Sequence, residues 1–275
     1  MKKIFICLLL TLFASINIVG ASKHVHKEPK IEMLPWSEAN LVIPKYTKFI
    51  VKDLETGKEF NVQRRAGSQH ADVQPLTTAD TKIMKEIYNG KWSWKRRAII
   101  VKYEKKRIAA SMHGMPHGGG ALKNNFPGHF CIHFYGSKTH RKNHMDLSHK
   151  LMVLKSAGKL ASYLQSSDPY EVTSAYIAGF KEQDPKIVSL LSLQQTEWKK
   201  PFSKVENVSL TRMPVLPVED LVEELSLAIP IEVDWYIKNE GKRAFKGNIY
   251  LVRFTPLGSW KVDTITFLED NRLSE

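Results

Sequence analysis

Cysteine is nearly absent from this chain: its 275 residues include only Cys7 and Cys131. Cys7 lies in an N-terminal apolar run that we expect to be cleaved off, which leaves Cys131 without a partner in the chain. This excludes a fold held together by disulfide bonds. An unpaired thiol outside the cytoplasm is a liability unless it is buried, bonded to another chain or used in chemistry.

Long apolar segments are also missing. The run Ile4 to Phe13 is short for a membrane-spanning helix, which needs roughly 20 apolar residues. Lys2 and Lys3 precede this run, and the small residues Val19-Gly20-Ala21 follow it at the usual cleavage distance. This pattern is typical of a secretory signal peptide over residues 1–21. We therefore expect a secreted, cell-wall-associated protein with no stable membrane insertion after cleavage.

Acidic residues are outnumbered, with 28 Asp and Glu against 41 Lys and Arg, for a formal net charge of +13. Removing residues 1–21, which hold two lysines and no acid, lowers the charge only to +11. A basic exported protein favours an anionic partner. We expect peptidoglycan or another anionic wall polymer and no nucleic acid.

The pattern of residues predicts a mixed fold of two domains after a polar, proline-containing lead-in, extended or disordered, over residues 22–45. Residues 46–165 are predicted to be β-rich, and residues 168–275 to form a smaller α+β domain with helices on an antiparallel sheet. Ser166-Ser167-Asp168-Pro169 marks the boundary. The first domain is predicted to contain strands at 47–53, 58–64, 97–103, 107–112 and 130–135, and helices at 78–88 and 146–164. The second is predicted to contain helices near 172–180 and 184–193 and strands at 205–212, 226–238, 247–255 and 260–268.

Histidine is concentrated around the remaining cysteine, with seven of the ten histidines between His113 and His149. If the strand of Cys131 extends back one residue, then His129, Cys131 and His133 share one face, because alternate side chains of a strand point the same way. Neighbouring imidazoles would lower the pKa of the thiol and supply a base. The nearby glycine-rich loop would let backbone N–H groups stabilise an oxyanion.

These residues resemble the catalytic signature of the L,D-transpeptidases. That signature is His-Gly, a spacer, then Ser/Thr-His-Gly-Cys followed by an apolar residue and commonly Arg or Asn. Here His113-Gly114 is followed after a loop by Gly128-His129-Phe130-Cys131-Ile132-His133. Gly128 stands where the family has a hydroxyl residue, and Phe130 where it has glycine. A second His-Gly, at His117-Gly118, has a shorter spacer.

The resemblance implies a ping-pong acyl transfer or hydrolysis on peptidoglycan stem peptides, without a cofactor. Cys131 would form a thioester, with His113 as the general base, His117 in reserve, and His129 completing the catalytic set. The residues implied in substrate binding are Gly114, His117, Gly118, Gly128 and His133. By the order of its elements, the second domain resembles the cystatin-like or nuclear-transport-factor-like fold.

Two other readings compete with the enzyme. The cysteine and histidines could bind zinc, although no Asp or Glu lies between Glu104 and Asp146 to act as the base of a hydrolytic site. Alternatively, the chain is a non-catalytic wall-binding protein that stacks sugar or peptide on Trp92 and Trp94. The candidate zinc ligands are His113, His117, His129, Cys131 and His133, with His70 and Asp72 as additions. Outside the candidate site, Asp72 is predicted to form a turn, and His140, His144 and His149 to be solvated.

Overall fold

The computed structural model describes residues 30–139 and 144–274. The predicted signal peptide, residues 22–29 of the lead-in, and His140 lie outside the described residues. Within the described part of the chain, no helix combines the length and the apolar character needed to cross a bilayer.

The first part of the chain is built on strands that close on themselves. Its strands are β1 (Ile31–Glu32), β2 (Lys48–Asp53), β3 (Glu59–Ala66), β4 (Ala71–Pro75), β5 (Arg96–Tyr103), β6 (Lys106–His113) and β7 (Phe130–His133). They follow the order β1-β6-β5-β2-β3-β4-β7, and β7 also pairs with β6. Strands β2 to β7 therefore form a closed six-stranded sheet, and β1 adds to it in parallel on β6.

Alternating side chains give this closed sheet its apolar core. Ala71 and Val73 of β4 and Phe130 and Ile132 of β7 belong to one buried cluster. The residues between them in the two strands are polar and also buried. Helices α1 (Trp36–Val42) and α2 (Thr78–Ile87) accompany the sheet. A capping box, in which Thr77 and Asp80 exchange hydrogen bonds, fixes the start of α2.

The rest of the chain combines helices with a four-stranded antiparallel sheet of order β11-β10-β9-β8. Its helices are α3 (Leu147–Ser156), α4 (Leu160–Gln165), α5 (Pro169–Glu182), α6 (Pro185–Leu191), α7 (Lys199–Lys204) and α8 (Thr264–Asp270), with a short 3-10 helix at Val218–Leu221. Its strands are β8 (Val205–Arg212), β9 (Ser226–Ile237), β10 (Gly241–Val252) and β11 (Lys261–Val262). The described chain is thus mixed, with both a closed and an open sheet.

Helix α3 joins the two parts. Leu151, Met152 and Leu154 pack into the core cluster of the second part, which also contains Ala98 of β5. On its other side, α3 reaches the closed sheet, where the Ser156 hydroxyl donates to the Ala110 carbonyl oxygen at 3.0 Å. In its first turn, His149 Nδ1 lies 2.9 Å from Ser111 Oγ of β6, so polar side chains at both ends of α3 contact this strand.

Four predicted elements differ from the structure. Residues 31–32 and 36–42 form β1 and α1 instead of continuing an extended lead-in. The helix predicted over 146–164 is broken between α3 and α4, where Gly158 has a φ of 70°. The strand predicted at 130–135 ends at His133, and the Phe134 N–H donates to Ser137 Oγ. The strand predicted at 260–268 becomes α8 after two residues, because Asp263 caps a helix there.

Candidate functional site

Cys131 lies in the middle of β7, directly opposite Asp72 of β4. The strand has the predicted alternation, with Phe130 and Ile132 in the apolar core and Cys131 and His133 lining a cavity on the other face. Both of these cavity-lining side chains are buried, with exposed fractions of 3% each. A polar site has therefore formed on one face of a strand whose other face is core.

A short backbone bridge carries His117 over the thiol. The His117 N–H donates to the His129 carbonyl oxygen, the His129 N–H donates to the His117 carbonyl oxygen, and both bonds are 2.9 Å long. Glycine is required on both sides of this bridge. A Cβ on Gly118, whose φ is +60°, would lie 2.4 Å from the His129 ring, and one on Gly128, at φ +122°, would lie 2.5 Å from the His117 oxygen.

The loop between the bridged residues is held by Gln74, a buried residue of β4. Its Nε2 donates to the Gly128 carbonyl oxygen at 2.8 Å. Its Oε1 accepts from the N–H groups of Ala121 and Leu122 at 2.9 and 3.3 Å. One side chain thus holds two distant points of the glycine-rich loop, and sequence reasoning missed it.

The imidazole nearest the sulfur is that of His117, whose Nε2 lies 3.3 Å from Cys131 Sγ. Its Nδ1 faces the Met115 carbonyl oxygen at 3.2 Å. With the proton on Nδ1 donated to that carbonyl, Nε2 presents its lone pair to the thiol, as a general base must. Of the two candidate bases, the one held in reserve, His117, is therefore the one that has a nitrogen in contact with the thiol.

Asp72 lies in β4 and not in the predicted turn, and its charge is next to the thiol. Its Oδ1 lies 3.7 Å from Cys131 Sγ, 3.2 Å from His70 Nε2 and 3.8 Å from His129 Nε2. Burial raises the pKa of the Cys131 thiol, and the charge of Asp72 together with its hydrogen bond from the thiol raises that pKa further. The expected lowering of the thiol pKa by imidazoles is therefore wrong, because burial and Asp72 raise that pKa.

Three imidazoles stack behind the thiol. The His133 ring lies between those of His70 and His149, with centroid distances of 4.6 and 3.7 Å and interplanar angles of 14° in both pairs. The far end is held by Ser111, whose Oγ is 2.9 Å from His149 Nδ1. Burial lowers the pKa of His149 well below its usual range, with the charge of His133 adding to the effect. His149 is thus buried and not solvated as predicted, whereas His144 is exposed.

His113 occupies the opposite wall, at the end of β6. Its exposed fraction is 4%, and the Trp94 ring lies 4.7 Å from its own ring, centroid to centroid. Burial lowers the pKa of His113 well below its usual range, helped by the charges of His117 and Arg96. Among the described residues, no hydrogen-bond partner faces His113 Nδ1. His113 is therefore a neutral imidazole with one uncommitted nitrogen at the site.

The cavity in front of the thiol has a volume of about 660 Å³ and is lined by His70, Trp94, Arg96, His113, His117, Cys131, His133, Thr139, Asp146 and His149. Trp94 and Arg96 also line a second cleft of about 480 Å³, together with Trp92, Lys95, Lys181 and Glu206 among others. Arg96 links the two parts of the chain, because its Nη atoms lie 3.6 Å from Asp146 Oδ2 and 3.7 Å from Glu182 Oε1. Two adjoining spaces of ligand size thus share Trp94 and Arg96, and the larger one is lined by the thiol.

The five predicted side chains His113, His117, His129, Cys131 and His133 converge. The three glycines predicted to bind substrate have other neighbours. Gly114 is buried against the Tyr88 ring, where a Cβ would lie 2.4 Å from it, and Gly118 and Gly128 pack on the bridge. The N–H of Gly128 donates to the Phe126 carbonyl oxygen. These glycines therefore shape the backbone around the site.

Sequence reasoning missed or undervalued His70, Asp72, Gln74, Trp94, Arg96 and His149. For Asp72 and Gln74 a signal existed. They alternate with the apolar residues Ala71 and Val73, as Cys131 and His133 alternate with Phe130 and Ile132. Only the pairing of β4 with β7 shows that Asp72 lies directly beside Cys131.

Comparison with known proteins gives no relative: no family model matches the chain, and neither a curated protein nor a solved structure is detectably similar to it.

Proposed function

We propose that this chain is an exported cysteine-nucleophile acyl transferase or hydrolase, similar to the L,D-transpeptidases, that acts on peptidoglycan stem peptides through a thioester on Cys131. One observation carries the proposal: Nε2 of His117 lies 3.3 Å from the sulfur, and its Nδ1 is oriented by a backbone carbonyl. A nucleophile, a base and a group that orients the base are the elements of covalent acyl-transfer catalysis.

In the first half-reaction, Cys131 Sγ attacks the carbonyl carbon of a stem-peptide amide while its proton passes to His117 Nε2. The tetrahedral intermediate then collapses, the C–N bond breaks, and His117 returns the proton to the leaving amine. The products are a thioester on Cys131, a free amine and a neutral imidazole. General acid–base catalysis of this kind contributes about 10²- to 10⁴-fold to the rate.

The charge of Asp72 determines when the thiol loses its proton. Because that carboxylate opposes a thiolate 3.7 Å away, the free enzyme holds a thiol, and proton transfer is coupled to the attack. A carboxylate in a buried site also favours a cation nearby, such as the imidazolium formed during attack. We expect this arrangement to protect an unpaired cysteine from oxidation until substrate is bound, because the thiolate is the reactive form.

In the second half-reaction, an amine of a neighbouring stem or a water molecule enters from the cavity. His117 Nε2 takes its proton as it attacks the thioester carbonyl, the C–S bond breaks, and the sulfur recovers the proton. With an amine the result is a cross-link, and with water it is a trimmed stem. The same residues serve both outcomes, so access to the cavity decides between them.

The surroundings of the thiol fit a large anionic substrate. The two adjoining spaces, of about 660 and 480 Å³, offer room for a donor and an acceptor. Trp94 is half exposed between them, and Lys95 and Lys181 line the second space. Together with the net charge of +13, these features support a wall polymer as the substrate and the extracytoplasmic wall as its location.

Intact mass spectrometry tests the proposal directly. We expect the purified protein, incubated with soluble peptidoglycan fragments carrying stem peptides, to gain the mass of the acyl portion, and peptide mapping to place it on Cys131. The adduct should be absent in Cys131→Ser, strongly reduced in His117→Gln, and unchanged in the matched exposed control His144→Ala. Release of stem amine without an adduct, or an adduct on another residue, contradicts the thioester.

A second function is favoured by one observation: the thiol is buried, which raises its pKa. In this alternative the chain binds wall polymer without reacting with it, and the cleft beside Trp94 is the contact surface. Sedimentation with purified sacculi separates the two functions. Binding that persists in Cys131→Ser and falls in Trp94→Ala, with no acyl adduct in the unmodified protein, would favour the binding protein.

A further inference from the structure

The groups around Cys131 are arranged as metal ligands as well as for acyl transfer. Three sets of donors, each with its ligand atoms within 4.8 Å of one another, share the Cys131 sulfur. They are His113 with His117, His70 with His133, and Asp72 with His129. Thiolate and imidazole are the donors that zinc takes in proteins.

We infer that the site binds a single Zn²⁺ ion through Cys131, His117 and His113, with the fourth position open to the cavity. Nothing in the acyl-transfer mechanism uses His113, yet this residue is buried beside the thiol with Nδ1 unpartnered among the described residues. An imidazole nitrogen left without a hydrogen bond in a buried site destabilises the folded chain. Coordination of a metal gives this side chain a role.

The distances suit a tetrahedral ion. Zinc with Zn–S near 2.3 Å and Zn–N near 2.0–2.1 Å holds its ligand atoms about 3.3–3.6 Å apart. Cys131 Sγ and His117 Nε2 are already 3.3 Å apart. The ligand nitrogen of His113 lies within 4.8 Å of both atoms, and a rotation of the His113 side chain would bring it to the distance that zinc requires. The bond of His117 Nδ1 to the Met115 carbonyl is the outer contact that orients a metal-binding histidine.

The other two donor sets are less suitable. His70 has both ring nitrogens engaged, with Nδ1 at 2.8 Å from the Lys138 carbonyl oxygen and Nε2 at 3.2 Å from Asp72 Oδ1. The set with His129 would need Asp72, which already accepts from the thiol and faces His70. Asp72 serves the metal better as a neighbouring negative charge, which stabilises a cation bound to the sulfur.

Metal binding and acyl transfer exclude each other at this site, a consequence that rests on the proposed function. Zinc would displace the thiol proton to solvent and occupy both the sulfur and the Nε2 lone pair. The metal would therefore act as a reversible block of the nucleophile. Removing the metal would restore a thiol beside the His117 imidazole.

Titration of the purified, metal-free protein with ZnCl₂ tests the inference. We expect one Zn²⁺ per chain with a Kd of about 1 μM or tighter. Co²⁺ in its place should give a thiolate-to-cobalt charge-transfer band, which reports the sulfur ligand. Cys131→Ser should abolish that band, and His113→Gln and His117→Gln should each raise the Kd by about 100-fold, since even outer contacts of metal ligands contribute 10–100-fold. His144→Ala is the control that should bind normally.

Circular dichroism of each variant verifies folding, and Cys131→Ser, which changes only one atom, keeps the test valid if a histidine variant unfolds. Absence of stoichiometric zinc, or a cobalt spectrum without the sulfur band, overturns the inference. So does a loss of affinity that follows His133→Gln and not His113→Gln. An acyl adduct without zinc binding refutes only the metal site, whereas zinc binding together with no acyl adduct on the metal-free protein refutes only the proposed enzyme.

Discussion

Removing the charge of Asp72 should make Cys131 more reactive. Its carboxylate oxygen lies 3.7 Å from the sulfur, and the side chain is only 11% exposed. At that distance two unit charges repel by about 4 kcal/mol when the effective dielectric constant is about 20. Because about 1.4 kcal/mol corresponds to a tenfold change in the ionised fraction, Asp72→Asn should raise the thiolate fraction by up to about 1000-fold.

The rate gain is smaller than the gain in thiolate. A thiolate of lower basicity is a weaker nucleophile, with a Brønsted slope of about 0.4–0.5. We therefore expect Asp72→Asn to accelerate alkylation of Cys131 by iodoacetamide by up to about 30- to 60-fold near neutral pH, within this range of slopes. The assay is a time course of labelling by intact mass, with Asp270→Asn, an exposed carboxylate far along the chain, as the charge-matched control. Labelling of Asp72→Asn that is no faster than the unmodified protein would refute the electrostatic argument.

Three further predictions concern the scaffold of the site. The pKa values of His113 and His149 are depressed by burial, so protonation favours the unfolded chain. The free energy of unfolding, measured with urea, should be constant above about pH 6.5, the approximate pKa of a histidine in the unfolded chain, and should fall below that pH by up to about 1.4 kcal/mol per pH unit for each histidine. A free energy of unfolding that stays constant down to pH 5 would contradict the burial of these two side chains. Gly118→Ala should disrupt the His117–His129 bridge and lower thermal stability and acylation together, whereas Gly119→Ala, where a Cβ meets nothing within 4 Å, should leave both unchanged. Gln74→Leu removes three hydrogen bonds at about 1 kcal/mol each, so chemical denaturation should show that the free energy of unfolding falls by about 2–3 kcal/mol. A fall below 0.5 kcal/mol would mean that the glycine-rich loop keeps its conformation without Gln74.

Local patterns foretold much of the first part of the chain. The alternation around Glu55-Thr56-Gly57 predicted the β2–β3 hairpin, which the structure confirms, and the pair β5–β6 is confirmed as well. The capped periodicity from Thr78 likewise predicted α2. These features depend on contacts between neighbours in sequence, and for that reason the sequence alone predicts them. Local patterns do not predict the closure of the sheet, because it requires β7 to pair with both β4 and β6.

Long-range pairing also explains the errors at the site. Cys131 and His133 were recognisable from their spacing, but Asp72 lies 59 residues before the thiol and meets it only through the register of β4 and β7. The contact of His117 with the thiol depends on the bridge to His129, which no spacer length reveals. His149 seemed solvated because its helix start is polar, whereas α3 packs against β6 and buries it. In each case a tertiary contact determines the position of the residue, and the local sequence pattern does not show that contact.

The central claim is that His117 acts as the general base for Cys131, and single-turnover acylation tests it most directly. The rate of adduct formation on Cys131 should be compared between His117→Gln and His113→Gln at saturating stem peptide. We predict that the acylation rate falls about 100-fold or more in His117→Gln, as expected when a general base is removed, and falls much less in His113→Gln. The opposite ranking, or no adduct on Cys131 in the unmodified protein, would contradict the account.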